Sequence, residues 1–147
     1  MRRSSSEWPS DVARLRSLML AHLDRLEIWS IASFLVGLAL PLMIQNRTAL
    51  MFGLVSSGWA GVNILIALIG KKAPPPRSIP VFAQLLSANQ VSNGFYIVFG
   101  IFFGLSSETM DWRAAGWAVC LQGIALMVLD TRFLRQVRKL VRDHEGN

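Results

Sequence analysis

Four long stretches of this chain carry no charged residue, and nothing else in it narrows the possible folds as much. They are residues 28–45, 48–70, 78–107 and 114–129. Each is close to the length a helix needs to cross a hydrocarbon core of roughly 30 Å. Backbone polar groups in lipid must bond within their own segment, so helices are the expected form. The chain therefore predicts an all-α fold, a four-helix transmembrane bundle with spans at about 28–44, 49–70, 81–105 and 114–129. Composition agrees: charged residues make up 16% of the chain, where soluble domains have about a quarter.

The basic residues predict which ends face the cytoplasm. The chain has 15 Lys and Arg and a net charge of +6. Thirteen of them fall before the first span, in the second loop or after Asp130, and only Arg47 and Arg113 fall in the other two loops. That bias places both termini in the cytoplasm, as expected of a multi-pass membrane protein. The bilayer, and anionic lipid headgroups at its cytoplasmic face, are then the expected partners. Nucleic acid is not, because no recognition motif accompanies the charge.

Residues 1–9 read as a disordered tail. Arg2 and Arg3 precede a polar stretch, and no short apolar core with a cleavage site follows, so a secretory signal is not expected. From Ser10, Val12, Leu15, Met19, Leu23 and Leu26 recur at helical steps among arginines. This predicts an amphipathic helix over 10–27 in the cytoplasmic interface, running into the first span. "KKAPPPRSIP" is the one linker, since three successive prolines cannot continue a helix. Residues 28–135 form the transmembrane domain, whose last span continues as a basic amphipathic helix toward Leu140, and 136–147 read as a basic cytoplasmic tail. Cys120 is the single cysteine, so no internal disulfide is available.

The polar residues inside the spans are the candidate site. At about 1.5 Å of rise per residue, Asn63, Asn89, Asn93 and Gln122 fall in one layer near mid-depth. Asn89, Asn93, Tyr96 and Gly100 are spaced 4, 3 and 4, one stripe of a helix, and Ser56, Trp59 and Asn63 form another. Amides facing lipid would be unsatisfied, so both stripes should turn inward. Two roles stay open. The amides are interhelical glue, helped by close-packing faces at Gly53, Ser57, Gly61, Gly100 and Gly104. Alternatively they line a pocket for a small ligand, with Trp59 and Tyr96 as its walls.

Asp130 is the one carboxylate at the end of a span, about 12 Å below the midplane by the helical rise. Arg132, Lys71 or Lys72 are its expected partners. His22 and His144 are the only histidines, and both lie outside the expected spans. That argues against a haem held by paired histidines. With no metal spacing, phosphate loop or nucleophile–base pair, neither a cofactor nor enzymatic chemistry is expected.

Three segments, "WAGVN" (59–63), "NQVSNGFYIVFGIFFGL" (89–105) and "GWAVCLQGIALMVLD" (116–130), resemble the signature segments of an uncharacterised family of small bacterial four-span membrane proteins, a domain of unknown function. The resemblance covers roughly residues 28–135. It points to Trp59 and Asn63, to Asn89, Tyr96 and Gly100, and to Gln122, Gly123 and Asp130. Asn93 stands where the family tends to have Asp, and Ala60 where a second Asn is usual. The resemblance implies an architecture and a residue set, but no reaction. The resulting expectation is a non-enzymatic membrane protein with a ligand-binding set of Trp59, Asn63, Asn89, Asn93, Tyr96, Gln122 and Asp130. The rival is a small transporter or channel subunit using Asp130 and the Asn/Gln layer. Glycine faces suit packing within one chain or between two, so a homo-oligomer also stays open.

Overall fold

The structure is a computed structural model that describes residues 8–76 and 78–145, with side chains over 12–76 and 78–143. The tail expected over 1–9 lies outside the described residues as far as residue 7. Four helices follow one another: α1 (Trp8–Ile44), α2 (Arg47–Lys72), α3 (Ile79–Ser106) and α4 (Met110–Glu145). Among the described residues there is no strand.

The helix ends follow from local chemistry. Gln45 takes a left-handed φ of 50°. Asn46 then caps α2, its Oδ1 accepting from the Ala49 amide at 2.7 Å. The prolines of the linker leave residues 74–76 without helix, and Ser78 restarts the chain as the cap of α3. The loop between α3 and α4, residues 107–109, is shorter than the 106–113 left between the expected third and fourth spans. Thr109 supports the first turn of α4, where Asp111 suits the positive end of the helix. Pro41 lies inside α1, one turn from its end.

The helices pack as two antiparallel hairpins, α1 with α2 and α3 with α4, and α4 also packs on α2 and α1. Small residues set the spacing in each hairpin. A Cβ on Gly100 would lie 2.5 Å from the Cys120 nitrogen, and one on Gly116 would lie 2.5 Å from the Gly104 nitrogen. Gly53 faces Gly37 and Pro41 in the same way. Gly61, expected in that stripe, has open space around its α-carbon. Such faces let backbones approach closely where lipid offers no hydrophobic drive between helices.

The outer surface inverts the pattern of a soluble protein. Leu35, Leu42, Val62, Leu65, Val91, Phe95, Val98 and Phe102 are all exposed, while Ser30, Ser56, Asn63, Asn93, Gln122 and Asp130 are buried. α1, α2 and α4 are long and apolar enough to cross a membrane. This is a membrane protein. α3 has the length, 28 residues, but Asn89, Gln90 and Asn93 dilute its apolar character. Ion pairs tie the ends of the bundle. Arg47 Nε meets Asp111 Oδ2 at 2.7 Å, and Arg113 donates to the Gly104 carbonyl at 3.2 Å. At the opposite end Lys71 is held by Asp24 and Glu27, and Arg16 donates to the carbonyls of Lys71 and Ala73.

Candidate ligand-binding chamber

α3 packs along α4 rather than along α1 or α2, and the space this leaves is a chamber of about 450 Å³. Its body is apolar, with Leu26, Leu86, Ile66 and Leu126 among its walls. Its rim has exposed residues on both sides: Val62 and Ile66 on α2, Asn89 and Tyr96 on α3. The chamber thus opens sideways between α2 and α3.

Its polar end is built from three helices. Asp130 on α4 is 5% exposed. Its Oδ2 accepts from both Asn89 Nδ2 and Asn93 Nδ2, each at 2.7 Å. The four-residue spacing on α3 stacks those two amides one turn apart, so one oxygen receives both. The other oxygen, Oδ1, lies 3.3 Å from His22 Nε2 on α1. The His22 ring stacks on Phe133 at a centroid distance of 4.4 Å and an angle of 10°. Burying a carboxylate requires this kind of multiple compensation.

The opposite wall comes from α2. Trp59 and Tyr96 meet edge to face at 4.7 Å. Asn63 is 5% exposed, lines the chamber, and its Nδ2 has no partner among the described residues. A buried amide donor left without an acceptor costs roughly 1–3 kcal/mol.

Six of the seven residues expected from sequence therefore surround one chamber: Trp59, Asn63, Asn89, Asn93, Tyr96 and Asp130. Gln122 does not join them. It is 1% exposed and accepts from Trp29 Nε1 at 3.2 Å, tying α4 to α1 elsewhere. Gln90 likewise faces α4, accepting from Thr131 at 3.4 Å.

Two expectations are corrected. Asp130 does not pair with Lys71, Lys72 or Arg132. Lys71 is drawn to Asp24 and Glu27 beside it, and the inward face of α4 turns Asp130 toward α1 and α3. His22 is not peripheral to the bundle. α1 runs unbroken from Trp8, so its inward stripe of Leu15, Met19, His22, Leu26 and Ser30 continues through the expected boundary at Ile28. The available signal was that stripe, spaced 4, 3, 4 and 4, in which His22 is the one titratable member.

Residues 25–131 match the model of a family described as being of unknown function, DUF6992. The matched segment holds the α2 and α3 residues of the chamber and Leu126 and Asp130 of α4; His22 precedes it and Phe133 follows it. No curated protein and no solved structure matches the chain.

Proposed function

We propose a function from this premise: the chain belongs to DUF6992, a family of unknown function, so its role has to be argued from its own chamber. The reading is a non-enzymatic, multi-pass protein of the bacterial inner membrane. Its four helices all cross, α3 included, and both termini are cytoplasmic, as the thirteen-to-two distribution of basic residues supports. Its interior chamber binds a small, largely apolar molecule that enters sideways from the bilayer. The observation that carries this reading is the unpartnered amide of Asn63. It is a buried donor beside an aromatic pair in a roomy apolar space, which is the usual composition of a small-molecule site. An oxygen on the ligand completes its hydrogen bonding. Asn89 and Asn93 serve the bundle instead, holding Asp130.

A second reading, a transporter or channel subunit, is favoured by one observation. Asp130 is a buried carboxylate at a chamber with a lateral opening, and intramembrane carboxylates mark ion and substrate paths. The two readings share the chamber, and flux into proteoliposomes separates them.

The test is native mass spectrometry of the full chain released from mild detergent. A bound small molecule is expected on the wild type and lost in Asn63→Phe, whose ring fills the chamber. Identical adducts on both proteins would be surface lipid and would refute the reading.

A further inference from the structure

The charges around the chamber are unbalanced in a way that selects for ligand charge. Among the residues lining it, Asp130 is the one acid, and there is no Lys or Arg. Two cations at its α1–α2 end are already engaged. Lys71 is held by Asp24 and Glu27, and Arg16 by backbone carbonyls. A buried carboxylate needs a positive charge close by, or its desolvation goes uncompensated. Among the described residues only His22 touches Asp130 with a group that can carry one.

The walls favour the same kind of ligand. Trp59 and Tyr96 stand at the chamber, and Phe82 and Phe133 line it from α3 and α4. The faces of such rings attract cations, most strongly where water is excluded. The space is sufficient, since an apolar cavity of about 150 Å³ already takes benzene.

We infer that the chamber selects a small aromatic organic cation, taken up beside Asp130. The inference rests on the chamber reading above and adds the charge of the ligand to it. A quaternary ammonium has no N–H to donate to Asp130, so the two amide bonds to Oδ2 stay in place. An oxygen on the same molecule would satisfy Asn63.

The experiment compares phenyltrimethylammonium with tert-butylbenzene, an uncharged molecule of the same shape. Equilibrium dialysis of the full chain in mild detergent, corrected against empty micelles, gives the affinity of each. The cation is expected to bind the wild type roughly tenfold more tightly or better. In Asp130→Asn the preference disappears while tert-butylbenzene still binds, which also shows that the variant keeps its chamber. Equal binding of both probes to the wild type overturns the assignment of charge and leaves the chamber reading intact. A preference that survives Asp130→Asn overturns it too. If neither probe binds the wild type, the chamber reading itself fails.

Discussion

His22→Ala lowers the stability of the full chain by about 3–5 kcal/mol, the largest loss expected from a single substitution at the chamber. The substitution strands a carboxylate. Asp130 is 5% exposed, and among the described residues no Lys or Arg approaches it. Without His22 it keeps two amide donors on Oδ2 and loses, at Oδ1, its one neighbour among the described residues that can carry a positive charge. The loss belongs to the uncompensated charge more than to the imidazole, and this makes it testable as a coupling. Asp130→Asn removes the charge, so His22→Ala/Asp130→Asn should be more stable than His22→Ala alone. Thermal unfolding of the four proteins in one detergent measures it. A loss below about 1 kcal/mol for His22→Ala, or additive effects in the double variant, would mean that the two side chains are neighbours without being partners.

Asn93→Leu and Asn63→Leu should move stability in opposite directions. Asn93 is 2% exposed and donates to Asp130 at 2.7 Å. A hydrogen bond to a charged group is worth about 1.5–3 kcal/mol, and leucine both removes it and crowds the carboxylate. Asn63 is as well buried, but its Nδ2 has no acceptor. Leucine at that position removes an unsatisfied donor, and its larger side chain has the chamber to extend into, so stability is unchanged or rises. A residue that costs stability where it stands is what a binding site is expected to contain. Melting temperatures of the two variants decide the point. Equal losses would assign both amides to bundle packing.

The contrast also shows how far the sequence could be read. The stripes Ser56–Trp59–Asn63 and Asn89–Asn93–Tyr96–Gly100 follow from helical spacing alone, and each brings members to the interior. Helical rise also sets depth, which is why Asn63, Asn89 and Asn93 come out in one layer. Rise carries no information about which neighbour a side chain meets. Gln122 shares that depth, yet it faces Trp29 on a different side of α4. Glue and pocket were therefore alternatives in sequence, and in space they divide by residue.

His22 was hidden for a different reason. The apolar spacing admits Leu23 or His22 as the inward position after Met19, and apolarity favours Leu23. The structure buries His22 and leaves Leu23 partly exposed, because Asp130 offers a partner from 108 positions away in the chain. Long-range pairing of this kind has no local signature. Lys71 illustrates the converse: Asp24 and Glu27, one turn apart on α1, claim it before Asp130 can.

The most direct measurement is an experimental structure of the full chain in a lipid nanodisc, read at Asn63. Non-protein density is expected in the chamber beside the Trp59–Tyr96 pair, within hydrogen-bonding distance of Asn63 Nδ2. A chamber without such density, with that amide bonded to a protein acceptor, would contradict the ligand-binding reading.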